Sequence, residues 1–172
     1  MIRFTTYVFF GGLSLILASC WPSKITFIDG SMPPEWKAFY VGVLENKAAN
    51  TPLSYPLNLA ESIRSGIQNN TKLQLSNAPT DAEVDIEGEI NSYSITPVAL
   101  QEGDNATKNR LTVSVNFVFY ISAPEENEMT LNASRFIDYD ANTDLSTVEN
   151  DLLQEVTDQI VQDVLNKLRS NW

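Results

Sequence analysis

Near the end of the chain, apolar residues recur at every fourth position: Val148, Leu152, Val156, Ile160, Val164, Leu168 and Trp172. Leu153, Val161 and Leu165 reinforce them. This spacing gathers them into one stripe of a long α-helix. Ser146 and Glu149 have the spacing of a capping box at its start. Glu149 and Asp151 fall toward the positive end of the helix dipole, and Lys167 and Arg169 toward the negative end. A second helical spacing begins at Leu57, with Leu59, Ala60, Ile63 and Ile67 on one face, and fades near "QNNT".

Between the helices the period changes to two. Leu111, Val113, Val115, Phe117, Phe119 and Ile121 alternate with a polar, then mixed, face. In "EVDIEGEINSYSITPV", Val84, Ile86, Gly88 and Ile90 share one face and Asp85, Glu87 and Glu89 the other. The apolar parity then moves to Tyr93 and Ile95, so a β-bulge near Asn91–Ser92 is needed to keep one buried face. "LQEGDNATKN" reads as the loop of a hairpin, "APEEN" as a turn and "MTLNASRFIDY" as the next strand. "KAFYVGVL" reads as a buried strand and "KLQLSN" as a short one, with a polar loop "ENKAANTPLSYP" between strand and helix. The predicted order is β-α-β-β-β-α. This is an α+β fold: an antiparallel or mixed sheet of about four strands, with two helices packed on one face.

The start of the chain has a different pattern. Arg3 precedes an apolar run from Tyr7 to Leu17, interrupted by Gly11, Gly12 and Ser14 and followed by Ala18 and Ser19. That is the layout of a secretory signal peptide, and the run is short for a membrane span. The single cysteine, Cys20, closes "LASC", which resembles the lipobox of bacterial lipoproteins. The resemblance implies cleavage before Cys20 and acylation of its sulfur and new amino group. Residues 1–19 are then a lipoprotein signal peptide, 20–36 a lipid-anchored tether and 37–172 one domain. One cysteine excludes a disulfide within the chain.

Composition narrows the function. The net charge is −11, which argues against a nucleic-acid partner and against attraction to anionic headgroups, so membrane attachment rests on acyl chains. There is no histidine, which excludes His-based catalytic triads and His metal sites. No nucleophile motif stands out, and no cofactor is expected. Asp138, Asp140, Asn142 and Asp144 occupy positions 1, 3, 5 and 7 of a calcium-type loop, with Ser146 at 9 and Glu149 at 12. Thr143 stands where the tight turn needs glycine, so a solvated acidic turn is expected and no metal. Arg135 shares parity with Met129, Leu131 and Ala133, and is expected to pair with Asp138 or Asp140 or to reach water. Lys108 and Arg110 flank Asn109 at the foot of the long hairpin and are the candidate contacts for an anionic ligand or partner. "DAEVDIEGE" reads as an acidic sheet surface.

The segments "FIDGSMPP", "EGEINSYSITPVAL", "NRLTVSV", "SRFIDYD" and "NKLRSNW" together resemble the LptE family of lipopolysaccharide-assembly lipoproteins, in order along nearly the whole chain after Cys20. The resemblance implies a small, non-enzymatic lipoprotein anchored in the outer membrane and facing the periplasm. There it would act as plug and assembly factor in the LptD-type β-barrel translocon, with lipopolysaccharide as ligand. The residues alone leave two other readings open: a lipid-anchored binding module for another periplasmic protein, and a carboxylate-based hydrolase.

Overall fold

The computed structural model describes residues 32–98 and 108–170. Cys20, the signal segment, the tether up to Ser31, the centre of the long hairpin loop and Trp172 lie outside the described residues. The elements are β1 (Ala38–Val41), β2 (Glu45–Asn46), α1 (Tyr55–Asn70), β3 (Gln74–Leu75), a 3-10 turn (Pro79–Asp81), β4 (Val84–Val98), β5 (Lys108–Ile121), β6 (Asn127–Asp140) and α2 (Leu145–Arg169). Among the described residues, no helix is long and apolar enough to cross a membrane.

The long strands form an antiparallel meander, β4-β5-β6, in continuous register from Lys108↔Asp140 to Ile121↔Asn127 on the β6 side. The register of β4 against β5 shifts between Ile90 and Ser92, which puts the bulge where the parity change requires it. The first part of the chain is added in parallel: β1 lies between β3 and β4, and β2 continues along β4 at Glu45↔Glu89. The sheet therefore has six strands rather than about four. Beyond the four of the predicted order, β3 falls within the short strand read in "KLQLSN", and β2, which was not expected, has two residues, too few to carry a period.

Both helices bury their stripes against the inner face. Leu59, Ile63 and Ile67 of α1 and Val156, Ile160, Val164 and Leu168 of α2 join Phe39, Val84, Ile86, Ile90 and the alternate residues of β5 from Leu111 to Ile121 in one core. Two glycines mark close approaches. A Cβ at Gly66 would lie 2.4 Å from Val161 Cγ1, where the helices meet, and one at Gly88 would lie 2.1 Å from Leu44 Cδ2. Leu44, just past β1, thus fills the gap left on the core face of β4. Both ends of β1 are tied by side chains. Glu83 accepts from the backbone N–H groups of Lys37 (3.0 Å) and Ala38 (2.7 Å). Arg64 donates to the Val41 carbonyl, and the Trp36 indole to the Ala123 carbonyl at 2.7 Å.

The helix caps differ from expectation. α1 starts at Tyr55 with Pro56 in its first turn, where a missing N–H costs nothing. α2 is capped by Asp144, whose carboxylate accepts from the Ser146 N–H at 3.0 Å and the Ser146 hydroxyl at 2.9 Å. Ser146 is therefore a donor inside the first turn rather than the cap, and Glu149 turns instead to the sheet.

Candidate functional site

The candidate cations sit at the end of the meander where β4 leaves for the loop, β5 returns and α2 begins. Arg110 is on the outer face, opposite Asp138 in the β5–β6 register. Its guanidinium grips that carboxylate with two hydrogen bonds, Nε to Oδ1 at 2.7 Å and Nη2 to Oδ2 at 2.9 Å. It also lies 3.8 Å over the ring of Phe136, which is 49% exposed. Arg110 holds the Asp138 carboxyl below the usual carboxylate range. The two cations are therefore not equivalent. Arg110 is committed within the sheet, whereas Lys108 is exposed and, among the described residues, makes no ion pair.

The acidic loop is similarly occupied. Asp138 holds Arg110. Asp140 accepts from the backbone N–H (2.8 Å) and side-chain amide (3.0 Å) of Asn142, and Asp144 caps α2. Glu149 accepts from the Tyr93 hydroxyl on the inner face. Burial, and then this carboxylate, push the Tyr93 phenol above its ordinary range. The four carboxylates thus answer to four different donor sets. Among the described residues, no group of three His, Cys, Asp or Glu could hold a metal ion.

Arg135 points to the helix-covered face, as its parity requires, but its partner is not Asp138 or Asp140. It forms a two-point pair with Asp163 of α2, with Nε to Oδ2 at 2.6 Å. The partner lies 28 residues away, off the apolar stripe of α2, so strand periodicity could not indicate it. The pair fastens α2 to β6 beyond the apolar stripe.

Among the described residues, no helix covers the outer face of the meander. Its middle is a set of hydroxyls and amides, among them Ser92, Ser94, Thr112, Ser114, Asn116, Thr130, Asn132 and Ser134, with Ser114 and Ser134 hydrogen-bonded at 2.8 Å. The acidic residues of "DAEVDIEGE" divide. Glu83 is held by backbone N–H groups, Glu89 by Lys47, and Glu87 is exposed. The Asp85 Oδ1 is shielded from solvent without a donor among the described residues, and burial raises its carboxyl above the ordinary value. Among the described residues, the Lys47 amine donates to Glu89 and the Thr80 hydroxyl to Asp81 at 3.4 Å, both at exposed positions. Phe136, Tyr93 and Asp163 are the residues sequence reasoning missed. Phe136 and Tyr93 could have been found once the β5–β6 register and the bulge were fixed.

A family model described as LptE, lipopolysaccharide-assembly, matches residues 36–168. Among solved structures, lipoprotein B from Nitrosomonas europaea is similar over 86% of this chain and 90% of its own, with 14% identity and a TM-score of 0.55. A hypothetical protein from Chlamydia trachomatis matches 79% of this chain and 99% of its own, at 13% identity and a TM-score of 0.56. Rare lipoprotein B from Shewanella oneidensis matches 74% and 93%, at 18% identity and a TM-score of 0.50. At these identities the likeness is one of fold. No curated protein matches the sequence.

Proposed function

Because the chain belongs to the LptE, lipopolysaccharide-assembly, family, we propose that it is an outer-membrane lipoprotein, anchored through Cys20 and facing the periplasm. In this reading it partners an LptD-type β-barrel as plug and assembly factor and performs no catalysis. The observation that carries the reading is the family match across residues 36–168, nearly the whole described domain. The geometry supports it in two ways. One sheet face is sealed by the helices, while the other presents a hydroxyl and amide surface suited to the polar wall of a lumen. The end of the meander carries Lys108 beside the Arg110–Phe136–Asp138 cluster, and Lys108 is the cation available to a glycolipid phosphate.

Crosslinking of the full-length protein in cells, with identification of the captured partner, tests this. A large β-barrel protein should be recovered, and Cys20→Ser should abolish both acylation and capture. Capture of a soluble periplasmic protein alone would replace the translocon reading with that of a binding module. Detergent partitioning of the Ser variant like that of the unmodified sequence would remove the lipid anchor.

A further inference from the structure

A groove of about 490 Å³ opens where the described chain begins, beside the C-terminal ends of both helices. Met32, Pro34, Trp36 and Leu73 give it an apolar lining, and Lys72 and Arg169 complete it. Among the described residues neither cation has a carboxylate partner: Lys72 makes no ion pair, and Arg169 donates to the Asn70 carbonyl at 2.9 Å. In a chain of net charge −11, two such cations beside an apolar groove call for an occupant that is apolar and carries a negative charge.

The sequence just before Met32 has that composition. "KITFIDGS" contains Ile25, Phe27 and Ile28, then Asp29. Met32 is itself part of the groove wall, so Ile28 is within about 14 Å of it even at full extension. We propose that residues 25–29 seat in this groove, with the three apolar side chains against its lining and the Asp29 carboxylate toward Lys72 and Arg169. The seating stands whatever becomes of Cys20. If Cys20 is the anchor proposed above, the seat leaves only Trp21–Lys24 between the membrane and the domain. That is a leash of roughly 16 Å, where an unseated tether up to Ser31 would reach about 40 Å. The groove would then fix how closely the domain is held to the bilayer.

Trypsin reads the seat directly, because Lys24 immediately precedes the seated segment. The full-length protein in nonionic detergent is digested, and cleavage of the Lys24–Ile25 bond is followed by mass spectrometry. Phe27→Asp with Ile28→Asp should speed this cleavage by about tenfold or more, since the rate follows the population of the open form. Lys72→Glu with Arg169→Glu should speed it severalfold. The bond after Arg64, inside α1, should stay resistant in every variant, which separates unseating from unfolding. The Cys20→Ser chain should show the same protection as the acylated one. The proposal is overturned if the unmodified sequence is cut as fast as the Phe27/Ile28 variant. It is also overturned if protection is lost in Cys20→Ser, or arises only on adding phosphatidylglycerol vesicles. Acyl chains or a membrane surface, and not the groove, would then be the shield.

Discussion

A single methyl group added at Gly88 tests how the first part of the chain is locked onto the sheet. The new Cβ would meet Leu44 Cδ2 at 2.1 Å and the Phe117 ring carbons Cδ1 and Cε1 at 2.9 Å. Neither neighbour has room to withdraw. Leu44 is 3% exposed and Phe117 1%, and the Phe117 ring is packed 6.4 Å from that of Phe119. Overpacking of this kind costs about 1–3 kcal/mol. With contacts on two sides we expect about 2 kcal/mol for Gly88→Ala, a fall in thermal midpoint of roughly 4–8 °C. Leu44→Ala alone opens a cavity and should cost about 2–4 kcal/mol. In the double variant the added methyl enters the space vacated by Leu44, so the combined loss should fall short of the sum by about 1 kcal/mol or more. Urea and thermal unfolding of the four proteins, followed by circular dichroism in a Cys20→Ser background, measures the cycle. Additivity within about 0.5 kcal/mol would show that Leu44 does not fill the gap over Gly88, and the account of that junction would fail.

Two further outcomes follow from the core and from the start of β1. Ile160→Asp places an unpaired charge on a fully buried position of α2, at a cost of several kcal/mol, so cooperative unfolding should be lost; an unchanged thermal midpoint would mean this stripe is not core. Backbone N–H groups of Ala38 and Lys37 hold Glu83 below its ordinary 4.5, so its contribution is full at neutral pH and disappears as pH falls from about 4.5 through the folded value. The stability difference between the unmodified chain and Glu83→Gln should shrink across that window, and a difference independent of pH would show that the carboxylate is not the clamp.

The long elements were legible because burial imposes a period on them. The alternation in β5 and the stripe of α2 each span enough residues for one face to declare itself, and the parity break after Ile90 located the bulge. β3 lies within the short strand read in "KLQLSN", but β2 pairs through two residues with a partner from distant sequence, so nothing local announces it. The polar contacts were the least readable. Arg135 was correctly read as needing a partner, yet Asp163 emerges only when α2 is laid across β6. Ser146 and Asp144 both suit a helix start, and the cap fell to the residue just outside the helix. Lys108 and Arg110 looked alike in sequence, but the β5–β6 register sets Asp138 opposite Arg110 and brings Phe136 beneath its guanidinium, leaving Lys108 at the end of the strand.

The position of β1 bears on how the domain carries load. A strand at a sheet margin can be unzipped one hydrogen bond at a time, but β1, the first strand after the N-terminal segment, has parallel neighbours on both sides. Glu83 grips its leading end and Arg64 its trailing carbonyl. Traction applied through the N-terminus along the strand therefore meets two ladders in shear, together with both side-chain clasps. A body suspended from that end hangs from a strand secured on both sides rather than from a free edge.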